Sequence, residues 1–147
     1  MRSTISLKGR WPTVKIDNND IKAAVNSKLL SLFGFAMRAG KLETGTDRIC
    51  DEIRRHGIPS EDNSVKGYST HGIVVIASDA SDNTKKRIIN ACKYYRVEFY
   101  ISELSQTDIA DRIGKASAAA CATFDRGFAD GIRKAIMLSQ SLKSSKC

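Results

Sequence analysis

The sequence predicts one α/β domain in which helices are layered around a small central sheet. Three observations carry this. The run GIVVIA at 72–77 is continuously apolar and β-branched, as in a strand buried on both faces, Val97–Ile101 reads as another strand, and SAAACATF at 117–124 as the last buried strand. The segments between them carry apolar residues three and four apart, the spacing of an amphipathic helix. Alternation of the two types gives a layered architecture, and 147 residues suffice for one core without staples.

Each element has its own signal. Residues 1–25 show little periodicity and hold a Trp11-Pro12 step and an Asn-Asn-Asp cluster. They predict a basic N-terminal extension, extended or loosely docked, before a domain at 26–138 and a flexible tail at 139–147. From Asn26, Leu29, Leu32, Phe33 and Ala36 form a helical stripe that Gly40 ends. A strand at Lys41–Thr44 then turns through Gly45 into a helix whose inward face is Ile49, Cys50 and Ile53. Thr46 or Asp47 is expected to cap that helix, with Arg48–Glu52 and Asp51–Arg55 as exposed i,i+4 pairs.

Residues 57–71 form a polar loop longer than most connections. After the strand at 72–77, SDASDNTKKR opens a helix with Ile88, Cys92 and Tyr95 inward. Ser81 or Asp82 supplies its cap, and Lys85, Lys86 and Arg87 form a solvated face. A short helix from about Gln106 to Ile113 stops at Gly114. Beyond the last strand, Asp125 caps a helix carrying Phe128, Ala129, Ile132 and Ile136.

The formal net charge is +8, from 24 Lys and Arg against 16 Asp and Glu. Residues 1–28 hold six basic and two acidic groups, so half of the excess lies in the first fifth of the chain. Such a balance attracts phosphate backbones. No apolar run approaches bilayer length and no signal-type apolar segment opens the sequence, so a cytoplasmic protein without a membrane partner is expected. The four cysteines contain no C-x-x-C pair and read as reduced packing residues. His56 and His71 stand apart from other metal donors, so neither a metal nor a cofactor is expected.

Enzymatic readings find little support. G-x-G-x-x-G, the Gly-Lys-Ser/Thr phosphate loop and the G-x-S-x-G elbow are all missing, and two histidines leave few members for a triad. Asp79 and Asp82 are near each other, but carboxylates at turns usually cap helices. In α/β layers the loops at strand ends carry the sites. Three qualify: 44–48, 78–84 and 114–118. The first two each read as a capped helix start or as a grip on phosphate and bases; spacing leaves 44–48 open, while at 78–84 capping is favoured and both can hold at once.

Taken in series, LLSLFGFAMRAGKLETGTDRICDEIRRHG, GIVVIASDASDNTKKRIINACKYYRVEFY and DIADRIGKASAAACATFDRGFADGI resemble the kink-turn-binding ribosomal protein family. That superfamily includes L-seven-Ae, L-thirty-e and Gadd-like proteins, and the match is to its small bacterial YlxQ-like branch. The resemblance covers about residues 27–136. It implies a three-layer α/β/α sandwich with a four-stranded mixed central sheet. It also implies a non-catalytic role in binding structured RNA, ribosomal or other, in the ribosome or another ribonucleoprotein.

The family's RNA surface maps onto Thr44–Arg48, Ser78–Ala80 and Lys115–Ala118. The resemblance implies that Arg48 and Lys115 contact phosphate or base, Gly45 and Thr46 present backbone N–H groups, and Asp47 accepts from a base. Lys41 and Lys85 would steer the RNA, with Thr44, Ser78, Asp79, Ala116 and Ser117 completing the surface. Kink-turn binders carry Gly-x-Asn-Glu-x-x-Lys in the first loop. Here Gly45 matches, Asp47 replaces the Asn, Arg48 the Glu and Asp51 the Lys, so two charges are reversed. The alternative from another class is a protein-interaction or scaffold domain that keeps the fold without tight RNA binding.

Overall fold

Four consecutive residues of one strand, Ile73–Ile76, are all buried, which requires cover on both faces of the sheet and pairing on both edges. The computed structural model describes residues 18–59, 61 and 67–144, with side chains from 21 to 138 within those ranges. The elements run α1 (Asn18–Arg38), α2 (Thr46–His56), β1 (Ile73–Ile76), α3 (Asp82–Tyr95), β2 (Glu98–Ile101), α4 (Gln106–Ile113), β3 (Ala120–Thr123) and α5 (Arg126–Ser144). The sheet order is β2-β1-β3. β1 pairs parallel with β2 and antiparallel with β3.

The helices form two packed groups, α2 on α3, and α1 on both α4 and α5. Their apolar stripes meet the strands in one core that includes Leu29, Phe33, Ile49, Ile53, Ile88, Ile109 and Ile132, each no more than 1% exposed. Burial of each such side chain is worth about 1.5–3 kcal/mol. Glycine is required where this packing is tightest. A Cβ on Gly72 would lie 2.2 Å from Cδ1 of Phe124, whose ring stacks on His56 at 4.5 Å.

The expected strand at Lys41–Thr44 is reduced to one bridge. Glu43 exchanges two backbone hydrogen bonds with Ala122, at 2.8 and 2.9 Å. The described sheet therefore has three strands rather than four. The Lys41 N–H donates to the Ala36 carbonyl at 2.8 Å, closing the end of α1, and Gly45 already serves as N-cap of α2. One end of the segment thus terminates one helix while the other starts the next.

A second difference lies at the N-terminus. The helix expected from Asn26 starts at Asn18, so 18–25 are helical rather than extended. Ile21 and Val25 continue the stripe of Leu29 and Phe33 onto the core, and Lys22 pairs with Glu103 at 3.6 Å. At the other terminus α5 runs to Ser144, beyond the expected boundary at 138. Residues 1–17, 145–147, 60 and 62–66 lie outside the described residues, with most of the proposed arm and the middle of the 57–71 loop among them. The ends of that loop are tied: the Ile58 N–H donates to Ser69 Oγ at 3.0 Å, and the Ser69 N–H to the Arg96 carbonyl at 2.8 Å.

Cys50, Cys92 and Cys121 are free thiols in the core. Among the described residues no helix is long and apolar enough to cross a membrane.

Candidate nucleic-acid interface

Strand direction decides which loops meet. β1 and β2 end together at Ile76 and Ile101, and antiparallel β3 begins beside them at Ala120. The Glu43–Ala122 bridge is antiparallel, so the chain leaves Glu43 toward the same end. Segments 44–48, 77–81, 102–105 and 114–119 therefore gather at one end of the sheet.

Hydrogen bonds hold the last three to one another. The Ala77 N–H donates to the Ala119 carbonyl and the Ser78 N–H to the Leu104 carbonyl, both at 2.8 Å. Asp79 Oδ1 accepts from the Gln106 N–H at 2.8 Å, and the Gln106 side-chain amide donates to the Asp79 carbonyl at 3.0 Å. Lys85 Nζ donates to the Ser78 carbonyl at 2.8 Å, which places a cation beside that loop.

The helices that start here are finished differently. Ser81 Oγ caps α3 by accepting from the Thr84 N–H at 3.2 Å. Ser105 and Asp108 form a capping box on α4. α2 has Gly45 as N-cap and no side-chain cap bond, contrary to the expected cap from Thr46 or Asp47. The helix already begins at Thr46, so both side chains sit inside its first turn. Its leading N–H groups have no side-chain oxygen upon them, and they carry the partial positive charge of a helix start. Gly45 has φ −82°, which any residue adopts, and a Cβ there would come no nearer than 3.9 Å to a neighbour.

The charged side chains of this turn pair in ways that the helical spacing did not indicate. Arg48 turns back to Glu43, with Nε 3.1 Å from Oε1, instead of meeting Glu52. Asp51 pairs with Arg54 instead of Arg55, and Arg55 reaches Glu52 at 3.2 Å. Asp47 Oδ1 accepts from Arg87 Nη2 at 2.6 Å, binding α2 to α3. That hydrogen bond, and then the carboxylate charge, hold the Arg87 guanidinium above its ordinary pKa. Arg87 and Glu43 are the participants that the sequence reading missed. Arg87 looked like one of three solvated cations, and its partner stands 40 residues away.

Thr44, Arg48 and Lys115 line one depression of about 200 Å³, together with Met37, Gly40, Leu42 and Glu43. Lys115 follows Gly114, whose φ of +74° ends α4 in the left-handed region, and its side chain has no ion-pair partner among the described residues. Ala116 and Ser117 are exposed beside it. Lys41 is not brought to this depression. It lines a separate hollow of about 330 Å³ with His56, Phe124 and Arg126. Among the described residues no three His, Cys, Asp or Glu side chains could hold a metal ion.

What converges is thus a helix start without a side-chain cap, a cation with no ion-pair partner among the described residues, and further tethered cations around one strand end. Two curated relatives are similar to this chain in sequence. One, the RNA-binding protein YlxQ of Enterococcus faecium, is 36% identical over 88 residues, covering 60% of this chain and 72% of its own length. Its counterpart in Bacillus subtilis strain 168 is 32% identical over 99 residues, covering 67% and 85%. The chain belongs to the YlxQ family of RNA-binding proteins. Members of that family are not enzymes. No general family model matches the chain.

Solved structures agree on the fold. A protein of unknown function from Bacillus halodurans superposes with a TM-score of 0.58 at 25% identity, over 76% of this chain and 96% of that one. The Giardia lamblia 15.5 kD RNA-binding protein gives a TM-score of 0.55 at 15% identity, over 78% and 90%, a likeness of fold alone.

Proposed function

We propose that this YlxQ-family chain is a cytoplasmic, non-catalytic RNA-binding protein acting on structured RNA, ribosomal RNA in a ribonucleoprotein first among its targets. The observation that carries this is its kinship with two proteins named for RNA binding. The convergence of the 44–48, 77–81 and 114–119 loops at one sheet end supports it. In this reading a phosphate meets the leading N–H groups of α2 while Lys115 and Arg48 flank it. Lys85 supplies field from beside Ser78.

Kink-turn recognition is the finer form of the reading. Asp47 offers acceptors without the amide donor that an Asn would add, and Arg48 and Asp51 carry charges opposite to the pattern. The second reading, a protein-interaction domain that has lost tight RNA binding, draws on the same turn: Asp47, Arg48 and Asp51 are each engaged with another side chain.

Titration of a kink-turn RNA and of a plain duplex at two salt concentrations, with wild type and Arg48→Ala, separates these. Phosphate-led binding weakens steeply with salt on both RNAs. A preference for the kink-turn that disappears in Arg48→Ala supports specific reading. No binding to either RNA at low salt sinks the RNA reading and favours the interaction domain.

A further inference from the structure

We infer that the groove between α1 and α5 docks an amphipathic helix of a partner protein, apolar on the face that enters the groove and acidic along its flanks. The inference is independent of the RNA reading and concerns another part of the surface. The groove shares no lining residue with the two depressions described above.

Two helical stripes build it. α1 lends Ile21, Ala24, Val25, Lys28 and Leu32, spaced i, i+3, i+4, i+7 and i+11. α5 lends Gly131, Lys134, Ala135 and Leu138, spaced i, i+3, i+4 and i+7. The two helices come closest at Gly131, where a Cβ would lie 3.2 Å from Cδ2 of Leu32. Ala24 and Ala135 offer only methyl groups, so a hollow of about 570 Å³ opens between the helices. Val25 and Ala135 are buried in its floor, and Leu138 stands 61% exposed at its lip. From Ile21 to Leu32 it follows about 16 Å of helix, three turns. That length matches the apolar anchors that a docking helix presents at i, i+3, i+4 and i+7.

Charge selects the partner. Lys28 and Lys134 are the charged side chains of the lining, both are exposed, and neither has an ion-pair partner among the described residues. Asp130, four residues before Lys134, is taken by Arg133 at 2.9 Å, and Lys22 meets Glu103 at 3.6 Å. The lysine stems can lie along the apolar wall with their ammonium groups at the rim. A second copy of this chain in a two-fold contact would set the same two lysines against them, which like-charge repulsion opposes. RNA would find two cations above a floor without donors or acceptors for its base edges. An acidic amphipathic helix matches the floor and the rim together.

The test uses the full chain, as wild type and as the Lys28→Glu, Lys134→Glu double variant. The probes are two labelled helical peptides of about 14 residues, with leucines at i, i+3, i+4 and i+7 and either glutamates or lysines on the flanks. By fluorescence anisotropy, wild type should bind the glutamate peptide about tenfold more tightly than the lysine peptide, and the double variant should reverse that preference. Leu138→Glu, a change at an exposed lip, should also weaken binding of the glutamate peptide. Amide NMR shifts on binding should gather in residues 21–32 and 131–138.

Equal binding of the two peptides by wild type, no binding of the glutamate peptide, or shifts centred on another face overturns the inference. Sedimentation of wild type as a dimer closed through these same residues assigns the groove to a second copy and overturns it as well. Each of these outcomes leaves the RNA reading standing.

Discussion

At the scale of single residues the loop end is a set of cations, most of them already engaged. Lys115 has no ion-pair partner among the described residues, so its loss should leave the fold undisturbed while removing the phosphate contact proposed for it. Lys115→Ala should weaken RNA binding about equally on different sequences and reduce the salt slope by about 1, measured by titration at several salt concentrations. Arg48 is held by Glu43. Glu43→Gln should release the guanidinium and strengthen RNA binding, with the gain lost in the Glu43→Gln, Arg48→Ala double variant. A double-mutant cycle on one RNA measures both effects. The loops that gather here were legible in the sequence; the pairings of their side chains were not. Glu43 meets Arg48 across a strand-to-helix turn, and Asp47 meets Arg87 across two packed helices. Helical spacing predicts partners three and four residues apart on one helix and cannot see either pair.

At the scale of elements the reading from sequence was good wherever apolar periodicity ran to a clear stop. Gly40 and Gly114 adopt positive φ and end α1 and α4 where they stand in the sequence. Ser81 and Asp125 cap the helices that follow them. Periodicity failed where one segment serves two elements. Lys41–Thr44 has strand-like residues, but its Lys41 N–H closes α1 and its end starts α2, which leaves a single bridge. The start of α1 was missed because Ile21 and Val25 were too sparse to outweigh the polar cluster before them, until packing on the core decided the matter. The helix start at α2 yields its own prediction. The fold does not need glycine at 45, since its φ is ordinary and a Cβ has room. Gly45→Asp should cap α2 and stabilise the protein by a few tenths of a kcal/mol, seen as a small rise in melting temperature. The same carboxylate would stand where the proposed phosphate binds, so RNA affinity should fall. Raised stability with unchanged affinity would place the RNA elsewhere.

The whole molecule couples its core to pH through its buried thiols. Cys92 and Cys121 pack in the interior, and burial pushes each up to about 12 from 9.0; the charge of Cys50 adds a smaller upward push at Cys92. Cys50 is also raised, by burial first, against the lowering influence of Arg87 and Arg54. In the unfolded chain these thiols ionise near their ordinary value, while in the fold they hold their protons. Between the two values the native state binds more protons than the unfolded state, so stability must fall as pH rises. The contribution is fully present below about pH 9 and is lost progressively toward about 12, with a slope of up to about 1.4 kcal/mol per pH unit for each buried thiol. Urea unfolding at a series of pH values from 7 to 11 should therefore be level at first and decline beyond 9. Cys121→Ala changes the packing and lowers the plateau, but its diagnostic effect is on slope: the decline above pH 9 should become shallower by about one thiol's share. The same protonated state makes Cys92 and Cys121 unreactive toward alkylating reagents at pH 8 in the folded protein, with labelling appearing only in urea. Rapid labelling of either thiol in the native state would mean that the core around β1 opens far more readily than its packing indicates.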